Sequence, residues 1–195
     1  MKKVSFTLLF SAILVLSGCK NGKRADDATT PVETNQTTQD TQREEAKKIT
    51  VTIESKSGSN LSGNAVFTEE NGQVTMTAII DGLSEGMHAI HLHESADCSA
   101  DDGSTAGGHW NPTAEKHGEW GDAAGYHRGD IGNFKVDANG NGTITKTTDQ
   151  WCIGCDDQNK NIVGKAVVVH DGVDDFTSQP AGDAGSRVGC GSIRM

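Results

Sequence analysis

Six of the seven histidines in this 195-residue chain fall where they could build one site. His91 and His93 stand two residues apart in a run, His88 to His93, that reads as a β-strand, so their side chains leave the same face. Two imidazoles on one strand face supply half a metal site with no special backbone. His109, His117 and His127 lie in a long Gly- and polar-rich stretch, with Asp130 three residues after the last of them. His170 sits where the apolar run Ala166 to Val169 ends. Imidazole suits copper and zinc, and one added carboxylate suits zinc. A lone histidine is more often a surface or core residue than a ligand. His88, three positions before His91 and so on the opposite face, fits that description. Six candidates in a chain with only seven histidines point to a metal site.

The five cysteines bear on compartment and cross-linking. Lys2 and Lys3 followed by the apolar stretch Val4 to Leu16 read as a targeting segment, too short to span a bilayer. It ends in Leu16-Ser17-Gly18-Cys19, which resembles the lipobox of bacterial lipoproteins. That resemblance implies cleavage before Cys19, lipid on its thiol, and an extracytoplasmic protein anchored to a membrane on the periplasmic side or at the cell surface. An oxidising compartment permits disulfides. Cys98, Cys152, Cys155 and Cys190 then remain, and four cysteines allow three pairings.

Those groups need a scaffold, and composition indicates which kind. Gly contributes 24 residues, Pro three, and aromatics 5%, which favours short strands joined by glycine turns. The formal charge of −10, or −12 once Lys2 and Lys3 are removed, argues against nucleic acid as a partner. Residues 1–18 form the signal segment and 19–47 a polar linker with too little apolar surface to fold. From residue 48 onward the pattern has period two. Ile49, Val51 and Ile53 alternate with polar neighbours; Ala65 to Phe67 and Val74 to Ile79 follow, with Asn71-Gly72 as the hairpin turn between them. After His88 to His93 come Asn133 to Val136, Thr143 to Thr145, Ala166 to Val169 and Arg187 to Ile193. Ala166 to Val169 is apolar throughout, as in a strand covered on both faces. About eight short strands imply an all-β antiparallel sandwich or flattened barrel, interrupted by two long loops, 94–130 and 171–186. Loops of that length in a compact domain are usually functional.

Several segments then resemble the copper/zinc superoxide dismutases. Gly86-Met87-His88-Ala89-Ile90-His91-Leu92-His93-Glu94 is similar to their copper-ligand strand, and Gly107-Gly108-His109-Trp110-Asn111-Pro112 to the segment of their bridging histidine. Lys116-His117-Gly118 and His127 to Asn133 resemble the zinc loop. Val167 to Asp171 and Ala184 to Gly191 resemble the closing segments. The motifs run in the family's order from about residue 49 to the C-terminus. The resemblance implies a Greek-key fold, one copper held by His91, His93, His109 and His170, and one zinc held by His109, His117, His127 and Asp130. It implies that Asp174 links a copper ligand to a zinc ligand, that His88 is structural, and that Cys98 pairs with Cys190. Arg187 would dock superoxide, and His109 would carry a proton during dismutation to oxygen and hydrogen peroxide.

Two features depart from the pattern. Between Asp171 and Ser186 there is no Lys or Arg and four aspartates occur, so attraction of an anion would fall to Arg187 and to basic residues elsewhere, such as Lys116 or Arg128. Cys152-Ile153-Gly154-Cys155 matches nothing in the family's site and reads as a local disulfide clip in preference to free thiols or a metal-capture site. The rival readings are a metal-binding lipoprotein without turnover and a structural sandwich domain. Seven ligand positions plus Arg187 count against the first, and six aligned histidines against the second.

Overall fold

A computed structural model describes residues 46–195. The expected signal segment, the expected lipidation site Cys19 and residues 20–45 of the expected linker lie outside the described residues. Eight strands follow: β1 Lys47–Ser55, β2 Ser62–Glu70, β3 Gln73–Asp81, β4 Gly86–His93, β5 Gly132–Val136, β6 Gly142–Thr148, β7 Ala166–His170 and β8 Arg187–Ser192. One 3₁₀ turn, Ser104–Ala106, breaks the first long loop. All strand pairs are antiparallel, and the order β1-β2-β3-β6-β5-β4-β7-β8 closes on itself into a barrel. The β3–β6 and β4–β7 neighbours make this a Greek key instead of a simple meander.

The first strands show why the chain folds this way. In β1, Ile49, Val51 and Ile53 are buried while Thr50, Thr52 and Glu54 are exposed. Asn71 and Gly72 adopt φ of 52° and 74°, the left-handed pair that a two-residue hairpin requires between β2 and β3. On the outer face Thr75 and Thr77 meet Thr147 and Thr145 across the strands, with hydroxyls 2.9 and 3.2 Å apart. Phe67, Met76, Ile80, Ile90, Leu92 and Trp151 fill the barrel; burying such a side chain contributes about 1.5–3 kcal/mol relative to leaving it in water. Strand β1 starts at Lys47, inside the stretch assigned to the linker. Lys47 pairs with Glu69 in register, and its ammonium donates to Ile153 O at 3.0 Å.

The far side of the barrel is built differently. Every residue of β7 is buried, and β4 is buried from His88 to its end. Ile90, Leu92, Val167 and Val169 face the barrel core. Ala166, Val168 and Cys190 face outward into a second cluster with Ala106, under the first long loop. Strands covered on both faces lose the polar alternation of β1. The site therefore occupies the outer wall of the barrel beneath its loops, not the barrel interior.

A bulge then sets the site's edge. β7 and β8 pair Val169 with Gly189, but His170 with Arg187, so Val188 is the extra residue. Without it, Arg187 would share the inward face of Gly189 and Gly191, where an added Cβ would collide with Leu61, Ile53 and Val51. One extra residue flips the face and puts Arg187 opposite His170.

Candidate metal centre

His91 and His93 project from the outer face of β4, as their spacing predicts, and His88 points the other way, against Phe134. The two nitrogens of His88 face Ser84 O at 2.9 Å and His170 O at 3.2 Å. It ties β4 to the end of β7 and belongs to neither metal-capable group, the structural role expected of it.

The first long loop returns to β4 to deliver His109. His93 and His109 form an isolated antiparallel bridge. Trp110 N donates to Leu92 O at 2.8 Å, Leu92 N to Gly129 O at 2.9 Å, and Gly129 N to Trp110 O at 3.0 Å. This triangle holds the His109 and His127 segments on one strand. A side chain at Gly129 would overlap Leu92 O, which is why the close approach needs glycine.

Two groups of four potential ligands result, each with its ligand atoms within 4.8 Å of one another. They are His91, His93, His109 and His170, and His109, His117, His127 and Asp130. All seven residues are buried, and His109 belongs to both groups.

Their hydrogen bonds select one nitrogen in each ring. His91 Nε2 donates to Asp174 Oδ2 at 2.9 Å, His93 Nδ1 to Gly107 O at 2.9 Å, and His170 Nδ1 to Gly185 O at 3.3 Å. His117 Nε2 donates to Asp174 Oδ1 at 2.8 Å, and His127 Nε2 to Glu115 O at 3.2 Å. These acceptors fix the tautomers of the rings in the first group, leaving His91 Nδ1, His93 Nε2 and His170 Nε2 buried without a hydrogen-bond partner, while His117 Nδ1 and His127 Nδ1 lie against the Asp130 carboxylate at 3.0 and 3.2 Å. Buried polar atoms are rarely left so. Here they converge, and that is the requirement for binding metal. His109 turns Nδ1 to Asp130 Oδ1 at 2.8 Å and leaves Nε2 unpartnered toward the other group. Asp174 holds one ring of each group, as the resemblance implied.

The electrostatics agree with this geometry. Burial, aided by the neighbouring His109, holds His93 well below the usual histidine pKa. Burial likewise lowers His109 to about 4, against the pull of Asp130, and His170 to about 3, with His91 adding to the effect. These rings stay neutral, with lone pairs available, at physiological pH. Burial also disfavours charge on His117, but Asp130 and Asp174 together outweigh it and raise that ring to about 9. Burial opposes ionisation of Asp130 and Asp174, yet hydrogen bonds from the surrounding histidines hold both well below the carboxylate range.

Arg187 stands at the rim. Its Nη1 donates to Gly103 O at 2.8 Å, and Ser57 Oγ donates to Arg187 O at 2.9 Å. The β7–β8 register sets it opposite His170, and its charge adds to the lowering of the His93 and His170 pKa values. The Cys98–Cys190 disulfide pins the loop that carries Gly103 to β8, and Cys152–Cys155 forms a second bridge. Both pairings match expectation.

Three supports were not anticipated. Asn133 Nδ2 donates to Asp174 O and its Oδ1 accepts from Asp174 N, each at 2.8 Å. Gln179 clamps the His117 backbone, accepting from its N and donating to its O, each at 2.9 Å. A Cβ at Gly182 would overlap Asp174 Oδ1 and His117 Nε2. Asn133 closes the His127 to Asn133 motif, whereas Gln179 and Gly182 carry no local signal in the sequence.

Comparison with known proteins agrees with the geometry. The family model for copper/zinc superoxide dismutase (SODC) matches residues 61–193. A relative named Superoxide dismutase Cu-Zn 2, from Aquifex aeolicus (strain VF5), is 35% identical over 135 residues, covering 68% of this chain and 78% of that protein. Among solved structures, the clock protein EA4 superposes with a TM-score of 0.65 at 31% identity, over 74% of this chain and 92% of that one. A double mutant of a SOD-like protein from Bacillus subtilis superposes with a TM-score of 0.67 at 26% identity, over 75% of this chain and 97% of that one. With two metal-capable groups suited to copper and zinc and a family match over most of the described residues, the chain belongs to the copper/zinc superoxide dismutase family.

Proposed function

We propose that this protein converts superoxide to oxygen and hydrogen peroxide at a copper held by His91, His93, His109 and His170, beside a zinc held by His109, His117, His127 and Asp130. The observation that carries the reading is the convergence of buried ligand atoms in two groups that share His109, unpartnered imidazole nitrogens in the four-histidine group and three imidazoles around the Asp130 carboxylate in the other. Bound copper supplies the one-electron chemistry, and zinc, which does not change oxidation state, supplies a fixed charge. The chain's residues do the rest. Asp174 fixes the orientation of His91 and His117 together, so neither ring can rotate without disturbing the other group. Arg187, a cation that does not deprotonate in this pH range, docks the anion beside His170. His109 Nε2 is the atom placed to take up a proton and pass it to the reduced substrate. Two superoxide anions and two protons yield one oxygen and one hydrogen peroxide, so a proton carrier within the site is required.

Reconstitution with both metals, followed by elemental analysis and superoxide turnover on one sample, tests this. We expect one copper and one zinc per chain and catalytic decay of superoxide. A single metal per chain, or two metals without turnover, would overturn it.

A further inference from the structure

The turn Cys152-Ile153-Gly154-Cys155 contributes to neither histidine group. Its disulfide joins residues only three apart, whereas Cys98–Cys190 spans 92. The restraint a cross-link places on the unfolded chain grows with the loop it closes, so the short bridge adds the lesser share. The turn is also held without it. Cys152 N donates to Lys160 O at 2.8 Å and Ile162 N to Cys152 O at 3.1 Å. Ile153 N donates to Glu69 Oε2 at 2.9 Å, Gly154 N to Asn161 Oδ1 at 3.1 Å, and Asn161 Nδ2 to Cys155 O at 3.1 Å. These bonds anchor both sides of the bridge, so it can open while the turn keeps its place. Cys155 is half-buried between exposed Gly154 and exposed Asp156. Cys98 is half-buried too, but it packs on the apolar cluster of Ala106, Ala166, Val168 and Cys190. Opening that bridge loosens a whole loop.

We propose that Cys152–Cys155 is a thiol–disulfide exchange site that opens and closes in the folded protein, reacting with small thiols and dithiols. A dithiol reagent's thiolate attacks Cys155 Sγ, forming a mixed disulfide and displacing the Cys152 thiolate, which takes a proton. The reagent's second thiol attacks its own sulfur in that mixed disulfide and releases Cys155. The protein bridge gains two electrons and two protons, and the reagent leaves as its cyclic disulfide. Acidic Glu69, Asp156 and Asp157 surround the turn, against Lys47 and Lys160. Cationic and neutral thiols should therefore react faster than anionic ones, most of all at low salt.

The test treats the metal-loaded protein with graded dithiothreitol, alkylates the free thiols and maps the peptides. Cys152 and Cys155 should be modified at a concentration at least about tenfold below that needed for Cys98, with both metals retained. Cysteamine should outpace 3-mercaptopropionate several-fold at low salt. A Cys152→Ser/Cys155→Ser variant should fold and keep its metals. Opening of Cys98–Cys190 first or together, metal loss when Cys152–Cys155 opens, a faster anionic thiol, or a double variant that fails to fold would each overturn the proposal.

Discussion

Arg187 shows how much one side chain depends on its setting. The chain is acidic overall, and the second long loop offers four aspartates and no cation near a substrate that is itself an anion. A guanidinium fixed to Gly103 O beside His170 can still focus the local field in a cleft, an effect for which superoxide dismutase is a known example. Burial lowers the pKa of Arg187 while Asp102 opposes the shift, and the group remains a cation throughout the working range. Arg187→Ala should lower the second-order rate by about an order of magnitude with copper content unchanged. In the native protein, added salt should slow turnover because it screens this attraction. A native rate that rises with salt would reject steering, and an unchanged rate in the variant would reject the docking role.

Among the elements, the joint between β8 and the first long loop matters most. Cys190 lies on the outward face of β8 and Cys98 in the loop that supplies Gly103 O to Arg187. The disulfide therefore secures both the loop and the carbonyl that fixes the guanidinium. Closing a loop of 92 residues is worth about 4–5 kcal/mol in the chain-entropy account. A Cys98→Ser/Cys190→Ser variant should show a denaturant midpoint lowered to match. Its turnover per copper should fall as well, because Arg187 loses its fixed partner. Equal midpoints for variant and native protein would show that apolar packing under the loop is sufficient.

For the molecule as a whole, the buried histidine–carboxylate network makes metal-free stability depend on pH from both sides. His109 and His170 have folded pKa values of about 4 and 3, below 6.5, so the unfolded chain binds more protons than the folded one as pH falls. The stability they contribute is complete above 6.5 and is lost as pH falls toward those values. His117, raised to about 9, behaves oppositely: its contribution is complete below 6.5 and is lost as pH rises through 9. Metal-free protein should thus be most stable near pH 6.5, as read from urea midpoints across pH 4 to 9. Metal must displace the proton on His117, so zinc uptake at neutral pH should release protons. A metal-free stability that climbs steadily from pH 6.5 to 9 would contradict the charge assigned to His117.

Much of this was legible in the sequence because its signals are local. A period of two in β1 and β3, the Asn71-Gly72 turn and the two-residue spacing of His91 and His93 each concern neighbours that sterics couple directly. Parity alone separated His88 from the ligands. The candidate ligands could be named because histidine and aspartate carry the chemistry wherever they are brought. What the residues by themselves left open were contacts between distant segments. The extra residue at Val188 that turns Arg187 outward exists only in the pairing of β8 with β7. The two hydrogen bonds that Asn133 makes with Asp174, 41 positions away, and the clamp of Gln179 on His117, 62 positions away, depend on how two loops pack together. Glycine at position 182 is required only because Asp174 and His117 meet beside it. Backbone alternation follows from sterics between adjacent residues and is written in adjacent residues; which nitrogen each imidazole presents is set by an acceptor that only the folded chain brings within reach.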